Sequence, residues 1–289
     1  MNSKNKSKLV NSPNFIGIGA IKCGTTWLHA CLKEHPDIFS PKTKEIEFFN
    51  KRYALGTNWY LDQFANAKNK ISGEFTPAYL HDPICVDRIY ALNPEVRIIV
   101  CLRNPLDRCF SHFMMKNRES RKTINKKLKQ FDTEIRSEKN DYLLHGRYAE
   151  QLQSYIDRFG RDRVHIVLFD EIIKNPLTVL KNIFLFLGVE ENFIPNSINL
   201  KINPASAYRN TLLFSYLRKL VQFIERNISP RLILKMKTNG FRDKIINWWR
   251  IEKQNKNMLE ETKIYLKDYY AKPNQELEKL IDMDLSIWS

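Results

Sequence analysis

Phe15-Ile16-Gly17-Ile18-Gly19-Ala20-Ile21-Lys22-Cys23-Gly24-Thr25-Thr26 opens on an unbroken apolar run and closes on two threonines. The run from Phe15 to Ala20 reads as a short buried strand. From Thr25 onward the apolar residues Trp27, Leu28, Cys31 and Leu32 recur at helical spacing, and Pro36 ends the pattern. Between them lies a strand-to-helix turn, the place where α/β proteins bind oxyanions. Successive backbone N–H groups in such a turn form a concave nest, and the helix N-terminus adds partial positive charge. Thr25 and Thr26 supply hydroxyl donors and Lys22 a full charge inside the loop. In the nucleotide-kinase pattern G-x-x-x-x-G-K-[ST] the lysine follows the second glycine. Here Gly19 and Gly24 keep that spacing, but Lys22 stands before Gly24 and Thr25 follows it. A lysine so placed can reach a leaving-group oxygen with no metal ion bridging two phosphates. The nearest approach to an apolar strand ending in a metal-binding aspartate is Val167-Leu168-Phe169-Asp170.

Outward from the loop, strand and helix signals alternate. Arg97-Ile98-Ile99-Val100-Cys101-Leu102 is continuous and apolar, as a central parallel strand should be. A helix follows from Pro105, a favoured first position, with Asn104 as its cap. Residues 71–76 and 164–169 read as strands, and 84–92, 148–159 and 176–187 as helices, the last closed by Gly188. Residues 37–70 look irregular and aromatic-rich. Residues 118–140 carry many charges and almost no periodicity, so a mobile basic excursion is expected there; 208–289 read as mostly helical. The fold class is α/β: one domain with a central parallel sheet flanked by helices and a helical C-terminal region. The expected domain covers 14–289, after a disordered basic tail at 1–13 that has no apolar core and is not a signal peptide.

The chain has 289 residues, enough for one sizeable core, and 47 Lys+Arg against 32 Asp+Glu give a net charge of +15. That field suits anionic partners without choosing among them. The five cysteines show no C-x-x-C spacing and the six histidines form no ligand-spaced pair, so reduced thiols, a cytoplasmic setting and no bound metal are expected. No run is long enough to span a bilayer. The amphipathic stretch 212–224 leaves peripheral membrane contact open.

A second anion site follows the central strand in Leu102-Arg103-Asn104-Pro105-Leu106-Asp107-Arg108-Cys109-Phe110-Ser111. Arg103 sits at the strand's carboxyl end, where open α/β sheets bind ligands. Ser111 lies about two helical turns on, within range of the same phosphate. A ligand with anionic groups at both ends is implied.

At this point the chain resembles the sulfotransferases that use 3′-phosphoadenosine 5′-phosphosulfate (PAPS). Residues 15–26 are similar to their 5′-phosphosulfate loop, and Arg103 to Ser111 to their 3′-phosphate motif R-[DN]-P-x-x-R-x-x-S. The resemblance continues through His35-Pro36-Asp37, Glu45-Ile46-Glu47-Phe48-Phe49, Gly73-Glu74-Phe75-Thr76-Pro77-Ala78-Tyr79 and residues 285–288. The heparan-sulfate-type and bacterial carbohydrate branch is the most similar. It implies PAPS as co-substrate, 3′-phosphoadenosine 5′-phosphate (PAP) as product, no metal, and an acceptor hydroxyl or amine on a glycan. It further implies that Lys22, Cys23, Gly24, Thr25, Thr26, Trp27, Arg103, Ser111 and Arg209 hold the donor. Lys22 would face the departing phosphate oxygen. Glu45 aligns with the general base, in a loop whose Phe48 and Phe49 would desolvate it, and Glu47 is its rival if the segment is extended. His112 is read as packing within its helix, and Trp248 and Trp249 as core more than cleft wall. Where the branch places a lysine after the glutamate of the 73–79 segment, this chain has Phe75, so Lys22 suffices or Lys42, Lys44 or another base compensates. A lipid or secondary-metabolite acceptor is the alternative within the family. A small-molecule kinase using ATP and Mg²⁺, or a nucleic-acid-binding protein exploiting the basic charge, are alternatives outside it; no nucleic-acid motif supports the latter.

Overall fold

The computed structural model describes residues 12–117, 120, 123–137, 140–200 and 258–288. The expected features at 1–11, 212–224, Arg209, Trp248 and Trp249 lie outside them. Ser12 and Pro13, read as the end of the tail, are buried, and the Asn93 side-chain amide donates to the Pro13 carbonyl at 3.1 Å.

Five parallel strands make the sheet: β1 (Phe15–Gly19), β2 (Ile38–Phe39), β3 (Ile71–Phe75), β4 (Arg97–Leu102) and β5 (Val164–Leu168). Their order is β2-β3-β1-β4-β5. The chain leaves β1 for one side of the sheet and returns past it to β4, so the crossing opens beside the carboxyl ends of β1 and β4. Ligand crevices of doubly wound sheets form at such a switch. The four longer strands are almost wholly buried, which is why they read as apolar runs and not as alternating ones.

Helices cover both faces: α1 (Thr25–Glu34), α2 (Gly56–Asp62), α3 (Ile84–Leu92), α4 (Pro105–Lys116), α5 (Ile124–Ile135), α6 (Asp141–Leu144), α7 (Tyr148–Phe159), α8 (Phe169–Lys174), α9 (Pro176–Leu187) and α10 (Glu260–Ile281). Asn104 caps α4 as its sequence implies, its side chain accepting the Leu106 N–H at 3.0 Å. Gly188 closes α9 with a left-handed φ of 72°.

Two expectations are corrected. Residues 118–140 do not form an irregular excursion, because α5 occupies 124–135. Its Phe131 and Ile135 are buried in a second apolar cluster with Cys109, Phe113, Leu266 and Tyr270. The stripe is narrow and the opposite face is dense with charge, so the helical period is swamped in the sequence. Within 37–70, read as irregular, the edge strand β2 and the helix α2 take shape, and Tyr60 of α2 is fully buried.

Candidate active site

The loops at the carboxyl ends of β1, β3, β4 and β5 border one cavity of about 1300 Å³. On the β1 side, Lys22 holds a left-handed φ of 71° and Gly24 one of 92°. A non-glycine residue in that region is uncommon and marks a conformation imposed by function or packing. A side chain at Gly24 would be strained by this φ and its Cβ would crowd Phe169 and Ile172 at 3.1 Å. No side chain caps α1, which starts at Thr25; the Gly24 carbonyl accepts the Trp27 N–H at 3.0 Å and the Leu28 N–H at 3.2 Å.

Lys22, Gly24, Thr25, Thr26 and Trp27 line the cavity, and so do Arg103 and Ser111 from across the β1–β4 junction. Trp27 is anchored by an indole N–H donated to the Ile198 carbonyl at 3.2 Å. Arg103 lies over the Phe169 ring at 4.7 Å and reaches Asp107 at 3.4 Å, a long contact that leaves the guanidinium in the cavity wall. Tyr148 ties the two anion loops together, its phenol donating to the Arg103 carbonyl at 3.0 Å and lying 3.7 Å from the Cys23 thiol. Cys23, expected among the donor-binding residues, is not among the residues that line the cavity. Its thiol is fully buried and pushed up to about 11 by that burial, and its N–H donates to the Ala20 carbonyl. Asp170, the nearest candidate for a metal-binding aspartate, accepts the Trp288 indole N–H at 3.0 Å. Among the described residues no group of His, Cys, Asp and Glu side chains is arranged to hold a metal ion.

Glu45 and Glu47 both line the cavity. The segment is not extended, since both residues have positive φ (62° and 54°). Lys44 pairs with Glu45 at 2.7 Å and donates to Thr26 Oγ1 at 3.1 Å, whereas Glu47 pairs with Lys51 at 2.5 Å. Phe48 and Phe49 do not enclose Glu45. They turn into the core, Phe48 stacked on Tyr60 at 4.5 Å, and the Glu45 side chain is about half exposed (49%).

The tyrosines against which those aromatics pack, Tyr60 and Tyr79, bond Glu74, to which the sequence reading gave no role. It is 1% exposed and accepts from Thr76 at 2.7 Å, Tyr79 at 2.9 Å and Tyr60 at 3.3 Å. Burial raises its carboxyl to about 7, with those donors and the Ile46 N–H holding it down against that rise. The Tyr79 oxygen also accepts the Phe48 N–H at 2.9 Å, Thr76 Oγ1 accepts the Glu47 N–H at 3.3 Å, and the Phe75 carbonyl accepts the Glu45 N–H at 3.1 Å. The carboxylate loop therefore hangs from the end of β3. A glutamate ending a strand, followed by Thr76 and Tyr79, was the available signal.

Phe75 is buried, edge-on to Phe15 at 6.0 Å and to His29 at 5.9 Å. It fills the space above Gly17, where a Cβ would lie 2.0 Å from its ring. A lysine there would lose this packing and bury a charge. Of the compensating bases considered from sequence, Lys44 is the one bonded to both the loop hydroxyl and Glu45.

A family model described as the sulfotransferase domain matches residues 12–280. Human bifunctional heparan sulfate N-deacetylase/N-sulfotransferase 2 is 28% identical over 287 residues, covering 93% of this chain and 29% of that protein. Membrane-associated sulfotransferase kil1 of Dictyostelium discoideum is 38% identical over 112 residues, 37% of this chain and 24% of that protein. The chain thus spans between 24% and 29% of the length of these two relatives. A crystal structure of a sulfotransferase from Alicyclobacillus acidocaldarius is similar with a TM-score of 0.64 and 26% identity, covering 96% of this chain and 98% of that one. Among the described residues no helix is long and apolar enough to cross a membrane.

Proposed function

Because this chain belongs to the sulfotransferase family, we propose that it transfers a sulfuryl group from PAPS to a hydroxyl or amine of a carbohydrate. The observation that carries the reading is that Lys22 to Thr26 (Cys23 apart) and Arg103 with Ser111, expected from sequence to hold anions, line one cavity at the carboxyl ends of adjacent strands. A nucleotide with a phosphosulfate at one end and a 3′-phosphate at the other fits that pair. The carbohydrate class is supported by similarity to a heparan sulfate N-sulfotransferase. The family match leaves the kinase and nucleic-acid readings without support.

When bound, PAPS supplies an activated sulfuryl group on a phosphosulfate linkage. The α1 N-terminus with Thr25 and Thr26 would hold its 5′ end, and Arg103 with Ser111 its 3′-phosphate. Glu45 takes the acceptor proton as the acceptor oxygen or nitrogen bonds to sulfur. Lys22 would supply a fixed charge to the bridging oxygen that keeps the electron pair of the broken S–O bond, where such a charge is worth most in the transition state. Holding both reactants in line supplies much of the rest. Lys44, bridging Thr26 and Glu45, fixes the base relative to the loop.

Radiolabelled sulfuryl transfer from PAPS to a glycan mixture, run in EDTA, tests the proposal. Labelled glycan with equimolar PAP supports it. Hydrolysis of ATP with no use of PAPS would overturn it.

A further inference from the structure

One wall of the cavity is built of imidazoles from three separate segments. The His81 and His145 rings stack at 3.8 Å with 23° between planes, and His112 follows His145 at 6.0 Å and 19°. Tyr142 closes the row edge-on to His112 at 5.0 Å. All four residues line the cavity. His112 is only 5% exposed, and Nδ1 of His112 and of His145 are buried without a hydrogen-bond partner.

Charge runs along this wall in one direction. Burial, then the Arg108 guanidinium beside it, drives His112 down to about 3; burial, then His81 and Arg108, does the same to His145. His81 is lowered by burial against the opposing pull of Asp82 and Asp141. The rings are therefore uncharged at neutral pH. Lys22 acts on His112, so that end adjoins the phosphate loop, while Asp82 and Asp141 act on His81 at the other end. Glu134 joins these two carboxylates in the lining, and Lys51 is already paired with Glu47.

We propose that this imidazole wall is the acceptor subsite and that it takes an uncharged sugar residue, not a polyanionic chain. The inference rests on the reading of the cavity as a sulfuryl-transfer site. The cavity-facing surface of this neutral aromatic row packs against the C–H face of a pyranose, and the carboxylates of Asp82, Glu134 and Asp141 accept from its hydroxyls. The same carboxylates repel uronate or sulfate groups entering beside His81. Arg108 and Lys116 bring positive charge to His112 and His145, while the carboxylates Asp82, Glu134 and Asp141 share the lining and Asp82 and Asp141 act on His81.

The test uses the full chain, with PAP binding by calorimetry measured first. Absence of PAP binding would defeat the donor reading and not the acceptor inference. With PAP bound normally, kcat/KM is compared for a β-linked N-acetylglucosamine tetrasaccharide, a tetrasaccharide alternating that sugar with glucuronate, and a long-chain alcohol. The uncharged sugar should be used at least about tenfold better than the uronate chain, as one avoided like-charge contact allows. The Asp82→Asn, Asp141→Asn double variant should narrow that gap several-fold. His145→Ala should raise the acceptor KM about tenfold with PAP affinity kept, and His145→Phe should restore it through stacking. Equal or better use of the uronate chain or of the alcohol, or no use of the uncharged sugar, overturns the proposal. So does a His145→Ala defect confined to PAP binding.

Discussion

The Tyr79 phenol donates to the buried Glu74 carboxylate at 2.9 Å, and its oxygen accepts the Phe48 N–H, also at 2.9 Å. Through this relay a group 1% exposed holds the loop that presents Glu45 and Glu47 to the cavity. The cavity is thus bordered by two strand ends, β1 with the Lys22–Thr26 loop and β3 with the Glu45–Glu47 loop it holds, bridged by Lys44.

Glu74 makes this anchor sensitive to pH. Its folded value of about 7 lies above that of an ordinary exposed carboxyl, so the folded state binds the proton more tightly. Its contribution to stability is full below about pH 4.5 and is lost as pH rises through about 7, on the order of 3 kcal/mol in all. Glu74→Gln should therefore gain melting temperature relative to wild type as pH is raised from 5 to 8. A difference independent of pH contradicts the raised value.

Lys44, bonded to Thr26 and Glu45, is proposed to supply the charge that Phe75 cannot carry. Lys44→Met should lower kcat by about 10- to 100-fold, within the range for a lost electrostatic contact at the reacting centre, with PAP affinity changed less. Phe75→Lys should not compensate, because it breaks the packing on Gly17 and Phe15 and should destabilise the protein by about 3 kcal/mol or more. Thermal melts beside turnover assays check both, and a fully active Phe75→Lys with unchanged melting would contradict them.

Much of this was legible in the sequence, for identifiable reasons. Strand β4 is uniformly apolar because it is central, and α4 announces itself through Asn104 and Pro105. The two anion loops follow strands and carry their own chemistry in order. What stayed hidden depends on segments meeting in space. His81, His112 and His145 share no spacing, and only the packing of α4 and α6 against the turn after β3 stacks them. Phe48 and Phe49 were read toward Glu45 because sequence neighbours were taken as spatial ones. The positive φ values at Glu45 and Glu47 break the extended course that reading assumed, and Phe48 and Phe49 lie in the core.

Lys22→Ala should lower kcat by at least about 100-fold, since its charge is proposed to act on the departing oxygen. Single-turnover transfer with saturating PAPS separates this from weakened binding. Near-normal turnover removes Lys22 from the chemistry.

Glu45→Gln should keep PAP binding within about twofold while removing most transfer, as loss of a general base does. Glu47→Gln, whose side chain is held by Lys51, should retain activity. The reverse pattern identifies Glu47 as the base.

The central claim is that two anion sites grip one nucleotide, and calorimetric titration tests it most directly. Wild-type protein should bind PAP at least about 100-fold more tightly than adenosine 5′-phosphate, the charge-assisted bonds of Arg103 and Ser111 supplying the difference. Arg103→Ala should bring the two affinities within a few-fold of each other while leaving adenosine 5′-phosphate binding unchanged. Equal affinities in the wild type, or a PAP preference that survives Arg103→Ala intact, would contradict the account.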